Sequence, residues 1–551
     1  MRWIRPLSAR AEEPAEVLGA KAHGLVVLHR LGLPVPAGFV VTVEACRAFM
    51  REGRLPAGLD EELAIAMTGL EAATGRRFGG AQAPLAVSVR SGASVSMPGM
   101  MNTVLNLGLT TEASAGLAAE TGDARFALNS RLRFLSSFAS AITDTDVMGA
   151  AADPGGAPGD GDAQLIEAVE ERIRQRAGRS IPDGAAEQLE LAIETVFSSW
   201  DAPRARTYRE LHDIPHDLGT AVIVQAMVYG NRDDRSGTGV AFSRDPNTGE
   251  NVPYGDVLFG RQGEDVVSGR SSTRPLHELA GREPAVWSAL TEALRRVEGH
   301  YRDACYVEFT FQAGELWLLQ VRPGRFVGGA AVRVATELAD ERLITRREAL
   351  LRVSPHHLRH ARTPRMAASA KADIVVRGVG ACPGVAAGKV ATTAEAAVRM
   401  AADGPVILVR PETSPHDMRG LAAATGIVTA RGGSASHAAV VARAMGKPAV
   451  VGVTGLVVDV AAASWRADGH TVSEGTLVTI DGTSGEVALG SPPVSTDAAD
   501  AHLRRLLAWA DDVSGDRSER EEAERLTAAH AILRHDCTSK SDLRSRVVGD
   551  Q

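Results

Sequence analysis

One histidine in the second half of the chain has the surroundings that a nucleophile needs. The segment GGSASHAAVVARAM places His437 after a Gly/Ser turn and before an Ala/Val run. This pattern predicts a helix that begins near His437, capped by Ser434 or Ser436, and ends at Gly446. At a helix start, the dipole and the unpaired amides disfavour an imidazolium and attract a phosphoryl group. The residues alone allow two interpretations: a neutral nucleophile that accepts a phosphoryl group, or a polar helix-start residue without chemistry.

Metal binding by His437 is the weaker alternative, because no second His, Cys or carboxylate follows three or four residues later. Two Gly-rich segments elsewhere could approach phosphate oxygens through their backbone amides. The first, SVSMPGMMNT at 94–103, follows a predicted strand. The second reads SGTG, and a simple hairpin turn is its alternative interpretation. Its residues are Ser236, Gly237, Thr238 and Gly239.

The segment CYVEFTFQAGELWLLQVR predicts a β-hairpin, because two alternating runs meet at Ala313 and Gly314. Glu308 and Gln320 lie one on each strand, and antiparallel pairing could bring them to one face. Carbonyl and carboxylate oxygens are ligands that Mg²⁺ prefers. Two exposed polar strand residues are the alternative interpretation.

The composition limits the classes of protein that the chain can represent. Sixty basic and 68 acidic residues give a net charge of -8, which offers no support for a nucleic-acid or anionic-membrane partner. The four cysteines form no CxxC pair, as expected in a reducing compartment. The N-terminus lacks an apolar signal core, and no apolar run is long enough to span a bilayer. We therefore expect a cytoplasmic protein without nucleic-acid or membrane partners.

A chain of 551 residues is too long to fold around a single hydrophobic core, so we expect several domains to position these residues. A Gly/Pro/Asp loop at 152–162 interrupts a region of helical patterns. Patterns typical of β-strands begin at 219, and residues 354–374 show little hydrophobic periodicity. We predict a nucleotide-binding domain at 1–345, a linker at 346–374, a domain carrying His437 at 375–495, and a tail at 496–551. The tail is expected to form one or two exposed helices with a frayed or partly disordered end.

Several strings resemble the phosphoenolpyruvate-utilising family, and within it the pyruvate phosphate dikinase type. The strings include GGSASHAAVVARAMGKPAV, SVRSGASVSMPGMMNTVLNLGL, SGTGVAFSRDPNTGE, QGEDVVSG and VEFTFQAGELWLLQVR, and the likeness runs from about residue 15 to 511. The resemblance implies a multidomain α+β protein in which an ATP-grasp module precedes a swivelling β/β/α phosphohistidine domain. No TIM barrel is expected, because the chain after His437 is too short for a barrel of about 250 residues.

By this resemblance, His437 accepts the β-phosphoryl group of ATP, and Mg²⁺ is the required metal. Glu308 and Gln320 match metal-site positions. The residues that match ATP- or phosphate-binding positions are Lys21, Arg90, Arg133, Gln225, Ser236, Gly237, Thr238, Gly239, Glu264 and Arg322.

Three positions depart from the family pattern. Tyr306 stands where the family has an acidic residue, two before Glu308, which removes a carboxylate near the metal site. Ala435 replaces a threonine two residues before the phosphohistidine. Leu132 replaces an arginine that precedes Arg133.

The expected function is therefore an ATP-dependent phosphotransferase that forms AMP and phosphorylates His437. The γ-phosphoryl group would pass to inorganic phosphate. The phosphoryl group on His437 would move to an acceptor such as pyruvate, held by a separate barrel protein. Two alternatives remain open: a small-molecule kinase with a phosphohistidine intermediate, and a non-catalytic nucleotide-binding relic.

Overall fold

The structure is a computed structural model that describes most of the chain. The described residues are 2–95, 97, 100–143, 161–178, 180–267, 273–324, 326, 328–359, 361, 364–366, 373–434, 436–496 and 501–548. Ala435, most of the predicted loop at 152–162 and parts of the predicted linker lie outside them.

The elements of the N-terminal half alternate helices with short strands. They are β1 (Ile4–Pro6), α1 (Ala15–Leu18), α2 (Ala20–Arg30), β2 (Gly38–Val41), α3 (Val43–Glu52), α4 (Leu59–Thr74), β3 (Arg77–Phe78), β4 (Pro84–Leu85), β5 (Val87–Gly92), β6 (Thr103–Leu107), α5 (Thr111–Thr121), α6 (Ala124–Thr143), α7 (Gly161–Ala177), α8 (Ala185–Ser198), α9 (Pro203–Leu211), β7 (Ala221–Ala226), β8 (Gly237–Phe242), β9 (Tyr254–Phe259), α10 (Gly263–Val267), β10 (Arg274–Pro275), α11 (Glu278–Arg282) and α12 (Pro284–Tyr301).

The C-terminal half begins with the predicted hairpin. Its elements are β11 (Cys305–Gln312), β12 (Glu315–Pro323), α13 (Gly328–Asp340), α14 (Arg346–Arg352), α15 (Pro355–Arg359), β13 (Pro364–Met366), β14 (Ile374–Arg377), β15 (Val379–Cys382), β16 (Val385–Ala391), α16 (Ala394–Met400), β17 (Val406–Arg410), α17 (Met418–Ala423), β18 (Gly426–Thr429), α18 (His437–Met445), β19 (Ala449–Val451), β20 (Val457–Asp459), β21 (Ser464–Ala467), β22 (His470–Ser473), β23 (Leu477–Asp481), β24 (Glu486–Leu489), β25 (Val494–Thr496), α19 (Ala501–Ser514) and α20 (Glu522–Val548).

The chain forms two compact units. The first comprises residues 1–237, 259–261 and 309–322, and the second comprises 238–258, 262–308 and 323–551. The first unit contains the sheet β1-β2-β7-β5-β6. Its apolar strand residues, such as Val87, Val89 and Val224, pack with α3, α4, α6 and α8 into one large core, because alternate strand side chains point to the same face.

The second unit contains the domain around His437, an eight-stranded sheet in the order β14-β24-β23-β16-β17-β18-β19-β15. Successive side chains of β17 point to opposite faces of the sheet and therefore belong to two different cores. Ile407 and Val409 face a core that includes Trp465 of the small sheet β20-β21-β22. Val406 and Leu408 face a core built with residues of α16, α17 and α18. The order of layers is therefore small sheet, large sheet and helices.

Helices α13, α14, α15, α19 and α20 share a core of their own in the second unit. Leu503, Leu506 and Trp509 of α19 are buried there together with Leu526 and Leu533 of α20. The expectation of exposed tail helices is wrong for this part of the chain. The apolar residues recur three or four positions apart, which gives each helix a face that can be buried against its neighbours.

A further five-stranded sheet has the order β10-β9-β8-β11-β12. None of the sheets among the described residues closes into a barrel. Within the same residues, we find no helix with the length and apolar character that crossing a bilayer requires.

Candidate functional site

The helix that carries His437 begins and ends as its local sequence predicts. His437 is the first residue of α18, Ser436 is the N-cap, and its Oγ accepts from the amide of Ala439 at 3.5 Å. Gly446 adopts a left-handed conformation with φ of 64° at the C-terminal end. A residue with a Cβ resists this conformation, so the glycine ends the helix there.

The imidazole of His437 is held at one nitrogen only. Thr413 Oγ1 lies 3.0 Å from Nδ1, whereas Nε2 is buried and has no hydrogen-bond partner among the described residues. Thr413 follows β17, and Asp417 organises the same loop by accepting from the amide and the hydroxyl of Ser414 at 2.8 Å and 3.0 Å. A buried nitrogen without a partner is costly unless a ligand engages it.

Burial lowers the pKa of His437 to about 4, and the nearby Asp417 carboxylate opposes this shift. The ring is thus neutral at physiological pH, in agreement with the sequence expectation. The largest cause is burial, because the removal of water from the charged form outweighs the opposing effect of the Asp417 carboxylate. A neutral imidazole keeps a lone pair for nucleophilic attack.

The loop before His437 is fixed within the second unit by Asp256 of β9. Ser434 Oγ donates to Asp256 Oδ2, and Thr273 Oγ1 donates to Asp256 Oδ1 at 3.0 Å. A Cβ added at Gly433 would lie 2.5 Å from Asp256 Oδ1 and 2.4 Å from Thr273 Oγ1. The close approach of this loop to β9 therefore requires glycine at position 433.

Arg443 of α18 supports the same loop from within the helix. Its guanidinium donates to the carbonyls of Ser434 and, at 2.8 Å, of Ala381. It also lies 5.5 Å from the centroid of the Phe242 ring. Sequence reasoning missed Thr413, Asp256 and Arg443, because they lie on other elements or on a helix face that has no recognisable spacing to His437.

Among the predicted ATP-binding residues, the first unit brings Arg90 and Gln225 together. Arg90 Nη2 donates to Gln225 Oε1 at 2.7 Å and to the carbonyl of Leu319 at 3.0 Å. Gln225 is buried and donates through Nε2 to the carbonyl of Pro36 at 2.8 Å. These bonds fix the direction of the Arg90 guanidinium, as a phosphate-binding arginine requires.

Lys21 lies beside the same strand. Gly19 has φ of 78°, and a Cβ there would lie 1.5 Å from the carbonyl oxygen of Gly92, so α2 can start against β5 only with glycine. A Cβ at Gly92 would in turn lie 3.7 Å from the Cβ of Lys21. Because Arg90 and Gly92 are two apart on β5 and share a face, Lys21 and Arg90 lie on the same side of the strand.

Arg133 lies on α6, and its neighbour Leu132 is 2% exposed within the large apolar core. At position 132, where the resemblance implies an arginine, the chain therefore has a core residue. Arg322 lies on β12, and Glu264 lies on α10, where its side chain is not among the described ones.

The SGTG segment continues from a turn into a strand. Ser236 Oγ donates to Asp233 Oδ1 at 2.6 Å and accepts from the amide of Ala313 at 3.0 Å. Gly237, Thr238 and Gly239 belong to β8 and are buried. Their assignment to phosphate binding stays a prediction.

The hairpin β11–β12 carries Glu308 and Gln320, one on each strand, as predicted. Tyr306 donates from its hydroxyl to Glu308 Oε1 at 3.3 Å, and Glu308 itself is half-buried. No group of three or more His, Cys, Asp or Glu side chains is placed to hold a metal ion in the described part of the chain. A lone carboxylate suits a magnesium ion that takes its other oxygen ligands from phosphates and water.

Two family models match parts of this chain. The AMP/ATP-binding domain of pyruvate phosphate dikinase matches residues 52–277, and the mobile domain of PEP-utilising enzymes matches residues 402–485. The first match contains Asp256, and the second contains the whole of α18.

The chain is also similar to curated proteins over nearly all of its length. Pyruvate, phosphate dikinase 2 of Zea mays is 41% identical over 514 residues, which are 90% of this chain and 58% of that protein. The pyruvate, phosphate dikinase of Rhizobium meliloti is 40% identical over 540 residues (93% and 60%). That of Clostridium symbiosum is 38% identical over 527 residues (93% and 60%).

The chain is a pyruvate phosphate dikinase-like protein. Its relatives form a family of kinases and phosphotransferases. The dikinase-like chain spans 58–60% of the length of these three relatives. Its nucleotide-binding and PEP-utilising domains are both present in this mixed α/β structure.

Proposed function

We propose that the protein transfers the β-phosphoryl group of ATP to His437 Nε2 and then passes it to an acceptor. The single observation that supports this most is the state of the imidazole. It is neutral, anchored through Nδ1 by Thr413, and has a buried Nε2 without a partner among the described residues. With the Nδ1 proton donated to Thr413, the lone pair of Nε2 is the nucleophile.

The proposed transfer balances with ATP and inorganic phosphate as its two reactants. Nε2 bonds to the β-phosphorus, and the bond to the oxygen that bridges to the α-phosphate breaks, so AMP leaves. Inorganic phosphate then takes the γ-phosphoryl group as pyrophosphate, and the β-phosphoryl group stays on the ring. The amides at the start of α18 would stabilise the phosphohistidine, because they offer partial positive charge to an anion.

The nucleotide would be held by an ATP-grasp module within 1–345, with Arg90, Gln225 and Lys21 as its best supported residues. The guanidinium of Arg90 is oriented by Gln225, and Lys21 lies on the same side of β5. Arg133, Arg322 and Glu264 are assigned to the same site by resemblance alone. Glu308 and Gln320 would hold Mg²⁺, which neutralises phosphate charge when bound.

The domain at 375–495, which carries His437, is proposed to swivel between two sites. The linker at 346–374 would allow this rotation. The contact of Ser434 with Asp256 joins a residue of the mobile-domain match to one of the nucleotide-binding match. It is consistent with a loading position. Pyruvate on a separate barrel protein is the proposed acceptor in the second position.

The experiment uses ATP labelled at the β-phosphorus, with Mg²⁺ and inorganic phosphate. We expect acid-labile label on the peptide that contains His437, and none from γ-labelled ATP after the phosphate step. His437→Asn should lose the label, whereas His416→Asn should keep it, because His416 is exposed in the neighbouring loop. Absence of label on the wild-type peptide would refute the proposal, and discharge by pyruvate only with a barrel protein present would identify the acceptor.

A further inference from the structure

Asp417 belongs to the loop that holds the ring of His437. Thr413 Oγ1 lies 3.0 Å from His437 Nδ1, and the next residue, Ser414, donates its amide and its hydroxyl to Asp417 Oδ2 at 2.8 Å and 3.0 Å. The two residues form a capping box at the short helical turn that precedes α17. The carboxylate is therefore fixed to the neighbour of the residue that contacts the ring.

The charge of Asp417 acts on the ring. Burial lowers the pKa of His437 to about 4, and the Asp417 carboxylate opposes this shift. Asp417 is itself 7% exposed, so little water screens its charge. Arg410 Nε lies 3.3 Å from Asp417 Oδ1 at the end of β17, and this cation offsets part of the negative charge.

Other charged side chains around His437 have partners of their own. Arg443 and Lys447 donate to backbone carbonyls, and Asp256 accepts from two hydroxyls. In the loop itself, Glu412 lies 3.5 Å from Arg431. The remaining ionisable side chains of the loop and of α17 are exposed to water, which screens their charge; these are His416 and Arg419.

Under the proposed function, the ring gains a positive charge during phosphoryl transfer. Nε2 gives its lone pair to phosphorus while Nδ1 keeps its proton, so the neutral imidazole becomes a cation that carries the phosphoryl group. The burial that keeps the free ring neutral also disfavours this cation, because the water that would solvate the charge has been removed. A fixed carboxylate nearby offsets this cost.

We propose that Asp417 is the counter-charge of His437 and stabilises the cationic ring that forms when Nε2 bonds to phosphorus. Asp417 does not touch the reacting atoms and is a positioning residue that acts through its charge. The inference rests on the proposed function for the step in which the cation forms. The attraction between Asp417 and a cationic ring also exists without nucleotide, where a proton supplies the positive charge.

The first experiment therefore measures ring protonation without nucleotide, by nitrogen NMR of the full chain labelled at its histidines, with His437→Gln to identify the signal. Asp417→Asn keeps an oxygen for the Ser414 amide and removes the charge. We expect the protonated fraction of His437 at about pH 5 to fall about threefold. Arg410→Gln should raise this fraction, because it removes the cation that offsets Asp417.

The opposite signs distinguish charge from geometry, since a merely structural role of the loop would change both variants in the same direction. Asp403→Asn is the matched control, because Asp403 is exposed in the same domain, and it should keep the wild-type fraction. An unchanged fraction in Asp417→Asn, or a fall in Arg410→Gln, would overturn the inference. Should Asp417→Asn fail to fold, the sign of the change in Arg410→Gln decides alone.

The second experiment measures the label on His437 at equilibrium with fixed amounts of ATP, AMP, phosphate and pyrophosphate. We expect the ratio of labelled to unlabelled protein to be about threefold lower in Asp417→Asn than in the wild type, because the cation is less stable. No label on the wild type, together with the predicted protonation changes, would refute the proposed function and support Asp417 as the counter-charge. Equal label on the wild type and on Asp417→Asn would support the function and overturn the inference.

Discussion

At the scale of single residues, the account depends on the different surroundings of the two nitrogens of His437. Thr413 engages Nδ1, and the buried Nε2 has no partner among the described residues. Under the proposed function, an imidazole that is held this way is oriented before the nucleotide arrives, which lowers the entropic cost of reaching the reactive geometry.

Thr413→Val tests the orienting contact. The variant keeps the shape of the side chain but cannot accept from Nδ1, so both tautomers and other ring orientations become accessible. We expect the rate of His437 labelling from ATP to fall about five- to tenfold, the equivalent of one hydrogen bond. Rapid-quench labelling measures the rate.

Thr425→Val is the control, because the Thr425 hydroxyl donates to the carbonyl of Val406 at 2.9 Å in the same domain. An equal effect of both substitutions would show that Thr413 acts only on stability.

The lowered pKa of His437 predicts a pH-dependent stability. The unfolded chain takes up a proton near the ordinary value of about 6.5, whereas the native ring does so only at about 4. Between these values the unfolded state binds more protons, so stability falls as pH decreases through this window and changes no further below it.

The measurement is the difference in urea midpoint between the wild type and His437→Gln at several pH values. The wild type should lose stability relative to the variant as pH falls from 6.5 to 4. A difference that stays constant over this range would contradict burial as the cause of the shift.

At the scale of elements, the helix that carries His437 could be predicted from the sequence because its signals are local. Ser436 and Gly446 sit next to the helix ends that they determine. Thr413 and Asp256 could not be predicted, because they contact His437 and Ser434 from a loop and a strand that lie 24 and 178 residues earlier in the chain. The pKa was predicted in direction, but its cause is burial, which a sequence does not display.

The contact between the His437 loop and β9 is also a matter of elements, and Gly433→Ala tests it. The added methyl would meet Asp256 and Thr273, so the loop must move away from the strand. We expect slower labelling of His437 from ATP, by about tenfold or more, with ATP affinity unchanged.

Gly281→Ala offers the matched control, since no atom lies within 4 Å of its added Cβ. If Gly433→Ala labels as fast as Gly281→Ala, the contact with Asp256 has no part in loading the carrier.

At the scale of the whole molecule, the two family matches describe a nucleotide-binding part and a mobile part of one chain. The layers of the mobile part follow from strands such as β17, whose unbroken apolar run indicates a strand that is covered on both faces. The packing of α19 and α20 into a shared core does not follow from composition alone, because a spacing of apolar residues predicts a buried face but does not say which helices cover it.

The most direct test of the central claim is a single turnover of β-labelled ATP with excess protein, Mg²⁺ and inorganic phosphate. The account predicts that AMP and labelled His437 appear at the same rate and in equal amounts, and that His437→Asn forms neither. AMP formation by His437→Asn at the wild-type rate, or label on any other residue, would contradict it.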